Sequence, residues 1–114
     1  MSLHDDQVSL QQMLDSARKV LYLAARRSRP DLDDDWVATL ALMQLLQIIG
    51  EAARRLSAST RQQHPHVRWA RFIGLRNRLI HGYDTIDLDR LWEVLTVDIP
   101  ELAANLERIL AARS

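Results

Sequence analysis

Arg76, Asn77, His81 and Tyr83 carry side chains suited to handling a phosphodiester. An arginine stays cationic and presents a planar fork to phosphoryl oxygens. Histidine, as a residue type, titrates near neutrality and can take or give a proton. An asparagine can orient an imidazole or a substrate. A tyrosine can hydrogen-bond a phosphate, stack on a base, or offer its hydroxyl for modification. Cleavage of RNA by transesterification asks for three things: removal of the 2′-hydroxyl proton, protonation of the leaving oxygen, and stabilisation of charge on phosphorus. His81 suits the first two and Arg76 the third. At about 100° per residue Asn77 and His81 share a helix face, whereas Arg76 and His81 diverge by roughly 140°. Arg76 and Tyr83, seven apart, return to nearly one azimuth unless Gly82 ends the helix first. One copy therefore offers a single histidine flanking a ridge, and a complete centre needs a partner surface or a second copy. The same four residues could equally form only a hydrogen-bonded network that holds two chains together.

The charge distribution adds to the first of these readings. The 114 residues carry fifteen basic and fifteen acidic side chains, a formal net charge of zero that argues against a nucleic-acid binder. Residues 52–83, however, hold seven arginines, three histidines and no acid, while the flanking thirds sum to −3 and −4. Positive potential gathered on one third of a chain can hold a polyanion. The alternative is that these arginines pair with the acidic thirds inside the fold or at an interface.

The spacing Arg76, four residues, His81, one residue, Tyr83 resembles the R-x4-H-x-Y signature of HEPN-domain proteins of the HepT type. Asn77 directly after the arginine fits, and the likeness extends to residues 49–57 and 69–75. The resemblance covers most of the chain. It implies an all-helical homodimer that acts as the toxin of a type VII-like toxin–antitoxin pair, a metal-independent endoribonuclease with no cofactor. Its partner would be a minimal nucleotidyltransferase antitoxin, similar to MntA, that adds AMP to the motif tyrosine, here Tyr83. Arg76 and His81 would be catalytic, Asn77 and Glu51 supporting, and Arg54, Arg71 and Arg78 would contact RNA phosphates. The other role open to such a chain is a catalytically silent HEPN dimer, the regulatory or binding subunit of a nucleotidyltransferase.

The elements that must position these residues are legible as helices. One domain spanning 1–114 fits the length, and 47% apolar residues with only three Gly and three Pro fit a compact helical protein. The absence of cysteine excludes disulfides and thiolate metal sites and suits a reducing cytoplasm. No uninterrupted apolar run reaches the ~18 residues of a membrane span and no signal-peptide pattern opens the chain, so it reads as soluble and cytoplasmic. Ser2, with Asp5 three residues on, is expected to cap a first helix whose buried face runs from Leu10 to Ala24 and which stops at Pro30. Asp31 to Asp35 are expected to open a second helix as dipole-matched carboxylates rather than a metal site. From Trp36 to Ala53 that helix is apolar almost all round, with Gln44, Gln47 and Glu51 as one polar stripe. Those groups are expected to meet the motif helix, above all through Glu51, or else to face solvent or an interface. Ser57, Ser59 and Thr60 start a short connector, and Pro65 is expected to initiate the motif helix. Trp69, Phe72/Ile73, Arg76 and Leu79/Ile80 should trace its packed side. His64 and His66 lack a third ligand and read as polar surface. A last helix from Leu88 onward should be kinked or divided at Pro100, with Asp98 capping its second half. An antiparallel bundle of four to five helices follows.

Overall fold

The computed structural model describes residues 5–113. Four long columns form an antiparallel all-α bundle: α1 (Asp6–Ala25), α3 (Trp36–Arg55), α5 (Trp69–Gly82), and a last column made of α6 (Leu88–Glu93), a π-type turn (Val94–Asp98) and α7 (Ile99–Arg113). Two short helices, α2 (Asp31–Asp34) and α4 (Ala58–Gln63), serve as connectors. Their antiparallel order is fixed by what touches. Ser57, just past α3, donates to Asp6 at the start of α1 at 2.6 Å, and Arg113 near the end of α7 donates to Gln7 at 3.0 Å.

Leu10, Met13, Ala17 and Val20 of α1 are wholly buried against Leu42, Leu46 and Ile49 of α3 and Ile99, Leu102 and Leu106 of the last column. This is the helical spacing seen in the sequence, now closed into one core. The first cap differs from expectation. Asp5 caps α1, accepting from the Gln7 amide at 2.8 Å, while Ser2 lies outside the described residues. Just past the last turn of α1, Arg26 and Arg27 donate to the carbonyls of Tyr22 and Leu23. The aspartate run divides in two: α2 occupies Asp31–Asp34, and Asp35 caps α3 by accepting from the Ala38 amide. A side-chain cap of this kind stabilises a helix by about 1 kcal/mol.

Helix α3 is central but not buried all round. Its inner half packs between α1 and α5, while Trp36, Val37, Leu40 and Ile48 stand 68%, 60%, 43% and 37% exposed along the opposite face. Among the described residues it is the one helix long and apolar enough to cross a membrane, with half of that stretch buried inside the fold. The interrupting glutamines hide this in a reading of uninterrupted runs. Gly50 decides how α3 meets α5. A Cβ there would lie 2.3 Å from the Arg76 Cβ and 2.6 Å from the Phe72 carbonyl oxygen, so glycine permits the close crossing.

Three expectations about the motif helix and the last column are corrected. Pro65 sits in the turn before α5, which begins at Trp69. The packed side of α5 runs through Trp69, Phe72, Leu75 and Leu79, and Ile80 points outward, 45% exposed. Pro100, with no amide to donate, is accommodated just after the π-type turn, whose wider coil relieves the ladder without breaking the column. Asp98 caps nothing there. It is buried and faces Arg71.

Candidate functional site

Helix α5 presents an outward ridge with a different environment on each flank. On the α3 flank, Arg76 lies against Glu51 at 3.0 Å, as the polar stripe of α3 led one to expect. Glu51 also receives Arg54 at 2.7 Å and Arg55 at 3.3 Å, so one carboxylate gathers three guanidinium groups. The Arg54 hydrogen bond, with the charges of Arg54, Arg76 and Arg55 adding to it, holds the Glu51 carboxyl below the usual carboxylate range. Arg76 donates from its Nη1 to the Asn77 Oδ1 at 3.0 Å. Asn77 thus orients the arginine here rather than the imidazole one turn on. Gln44, Gln47, Ile48 and Ile80 complete a hollow of about 300 Å³ over this pair.

On the α6 flank, His81 and Arg78 line a second hollow of about 520 Å³, floored by Phe72, Leu75, Leu91 and Val94. His81 is exposed, and neither it nor Arg78 has a side-chain partner among the described residues. Within one protomer Arg76 and His81 therefore serve different hollows, the divergence that helical geometry requires. Tyr83 is 53% exposed and begins a short 3-10 turn, Tyr83–Thr85. The backbone leaves helical geometry at Gly82, so the alignment of Tyr83 with Arg76 on an ideal helix does not carry through. Gly82 has φ −174°, and what a side chain there would meet is the Thr85 hydroxyl at 2.9 Å.

Two of the three arginines expected on RNA phosphate are otherwise engaged. Arg71 donates to the buried Asp98 at 2.9 Å and lies 3.8 Å from Glu93, with Arg68 also 3.7 Å from Asp98. A buried carboxylate demands such a partner, which explains why Arg71 turns inward. Arg54 is committed to Glu51, though half exposed. Arg78 alone keeps its fork open. The alternative weighed from the sequence, that the arginines pair with the acidic thirds, is thus true of Arg71 and Arg68, and Glu51 answers for Arg54, Arg55 and Arg76. Arg90, which the sequence reading passed over, joins Arg78 and His81 around the second hollow.

Among the described residues no three His, Cys, Asp or Glu side chains gather as a metal site. His64 and His66 stand edge to face at 6.0 Å in the turn before α5. Burial, with the nearby His66 and Arg113 charges, pushes the His64 imidazole down, which favours its neutral form.

Comparison with known proteins identifies the family. A family model described as "Ribonuclease HepT-like" matches residues 13–109, a span that contains the whole of α3 and α5 and the lining of the second hollow. "Putative RNase MJ1380" of Methanocaldococcus jannaschii is 33% identical over 107 residues, covering 94% of this chain and 98% of its own. "Putative RNase TTE0752" of Caldanaerobacter subterraneus is 38% identical over 80 residues, 70% and 71% of the two chains. "Probable ribonuclease HepT" of Thermococcus cleftensis is 33% identical over 69 residues, 60% and 63%. No solved structure matches with significance.

Proposed function

This chain belongs to the HepT-like ribonuclease family, and on that premise we propose that it is an endoribonuclease whose phosphate-handling centre is completed by a second copy. In this reading His81 of one protomer removes the proton from a ribose 2′-hydroxyl. The 2′-oxygen forms a bond to phosphorus, the bond to the 5′-oxygen breaks, and the departing oxygen takes a proton from the second protomer's imidazole. A 2′,3′-cyclic phosphate and a free 5′-hydroxyl result. Arg76, steadied by Glu51 and Asn77, offers its remaining donors to the non-bridging oxygens. No step needs a metal ion. The observation that carries the reading is the placement of His81: on an open ridge, without a side-chain partner among the described residues, on the same helix as an arginine that is held in place.

The partner surface is the exposed apolar face of α3, continuous through Glu51 with Arg76 and Ile80. A homodimer seated there brings two motif helices together and covers Trp36, Val37, Leu40 and Ile48. The biological role that follows is the toxin of a type VII-like pair acting on cytoplasmic RNA, silenced by a minimal nucleotidyltransferase antitoxin. That enzyme would transfer AMP from ATP to the Tyr83 hydroxyl with release of pyrophosphate. Tyr83 is open enough to accept it, and the added bulk and negative charge would lie two residues from His81.

A second reading has its own support. Arg76 is engaged by Glu51 and Asn77, which is a structural use that needs no chemistry. A silent dimer serving as the binding subunit of a nucleotidyltransferase would keep the motif for that purpose. Incubation of the purified chain, free of its partner, with single-stranded RNA in EDTA decides. The ribonuclease reading expects cleavage that His81→Ala abolishes while fold and assembly persist. Intact RNA in EDTA and with added metal alike gives the binding subunit the case.

A further inference from the structure

We propose that the hollow between α5 and α6 is a subsite for one unstacked nucleobase, holding the nucleotide next to the phosphate that His81 addresses. The identity of its ligand rests on the ribonuclease reading, but its binding does not depend on cleavage. The hollow, about 520 Å³, falls within the ~300–1,000 Å³ of small-molecule sites. Phe72, Leu75, Leu91 and Val94 give it an apolar floor, one of them an aromatic ring. Around the mouth stand Arg78, Arg90 and His81, each exposed and each without a side-chain partner among the described residues.

Two carboxylates share the lining. Asp98 is buried against Arg71 at 2.8 Å, which offsets its charge, while Asp87 caps α6, accepting from the Asp89 amide at 2.9 Å, and keeps its own. Arg78 and Arg90 outnumber that one unpaired carboxylate, so the balance at the mouth is positive. An apolar floor beneath a cationic rim fits a ligand with a flat, apolar-faced body and an anionic tail. A bare phosphate would leave the floor unused, and a purely apolar ligand would leave the rim unused. Single-stranded RNA supplies such a body when a base is splayed from its neighbours, and sequence-tolerant recognition of that kind relies on stacking plus basic side chains. His81 lies on the α5 ridge at the hollow's edge, so a base seated in it brings its own phosphates past the imidazole.

Calorimetric titration of the purified chain with the four 5′-mononucleotides and with ribose 5-phosphate tests this, with amide shifts mapped by NMR. At least one nucleotide should bind, and ribose 5-phosphate should bind roughly tenfold or more weakly for want of a base. Shifts should cluster at Thr85, Ile86, Arg90 and Leu91, and Arg90→Ala should weaken the nucleotide severalfold. Val94→Trp, which fills the hollow, should remove binding in a protein that still melts cooperatively. If that variant does not fold, Arg90→Ala and the shift map decide. Equal affinity for ribose 5-phosphate, no binding by any nucleotide, or shifts clustered elsewhere overturns the subsite. RNA cleavage in EDTA without nucleotide binding sinks the subsite alone. Nucleotide binding as expected beside uncleaved RNA sinks the ribonuclease reading and leaves the subsite standing.

Discussion

The behaviour of α5 comes down to how each polar side chain is occupied. His81 is exposed and supports nothing, so His81→Ala should change stability by less than about 0.5 kcal/mol, as for other surface positions. RNA cleavage should nonetheless fall by roughly 10²–10⁴-fold, the range for loss of a general acid–base, and a rate assay beside a thermal melt separates the two effects. Glu51 gives a prediction in pH. Its carboxyl is depressed in the folded chain chiefly by the Arg54 hydrogen bond, so between its folded and unfolded pKa values the unfolded chain binds the extra proton. The stability it contributes is then present above the ordinary glutamate range and lost as pH falls through the folded value. The melting advantage of wild type over Glu51→Gln should persist at neutral pH and shrink below about pH 4.3. A constant difference across that range would show that Glu51 acts without its charge. That Glu51 would meet the motif helix was legible in the sequence, because a carboxylate on an otherwise apolar helix needs a cationic neighbour, but which arginine it meets was not. The turn of Asn77 toward Arg76 was not, because an asparagine with neighbours on both sides has no preference that spacing can reveal.

The elements were read well where periodicity governs and less well where one backbone atom decides. The apolar positions at helical spacing are buried in α1 and α7, and Ser9, Ser16 and Asn105, which that spacing does not pick out, are buried with them. Gly50 went unread although an interior helical glycine, about 1 kcal/mol worse than alanine, signals a reason for being there. That reason is the closeness of Arg76 and of the Phe72 carbonyl. Gly50→Ala should cost about 1–3 kcal/mol in net stability, the overpacking range, since a backbone oxygen cannot swing away. Urea unfolding measures it, and a neutral or stabilising result would mean that α3 and α5 separate freely. The last column misled for a similar reason. Asp98 two residues before Pro100 looks like a cap, yet the π-type turn keeps the column continuous and directs that carboxylate inward to Arg71. Arg71→Ala should then destabilise by about 3 kcal/mol, the low end for stranding a buried charge, because Arg68 remains near. Its effect on RNA binding should follow from that lost stability rather than from a lost phosphate contact.

At the scale of the molecule, formal neutrality concealed a divided surface. Arg71 and Arg68 are spent on Asp98, three arginines share Glu51, and Arg78 and Arg90, which have no carboxylate partner among the described residues, stand around the α5–α6 hollow. The apolar face of α3 is the other whole-molecule feature, with Trp36, Val37 and Leu40 exposed along it and Ile48 carrying it to the hollow shared with Arg76 and Ile80. Binary pattern alone reads this helix as buried but for the stripe of Gln44, Gln47 and Glu51, and only the fold tells its inner half from its outer half. A stable interface needs about 800 Å² from each partner, and large apolar side chains at its centre supply most of the energy. Leu40→Glu places a charge there without touching α5. If one protomer holds only half of a phosphate-handling centre, RNA cleavage in EDTA by Leu40→Glu, with its mass in solution determined at the same concentration, reveals it. The variant should be a folded monomer, with Arg76 and His81 intact, that leaves RNA uncut where the wild-type dimer cleaves it. A monomer that cleaves at the wild-type rate would mean that one copy suffices.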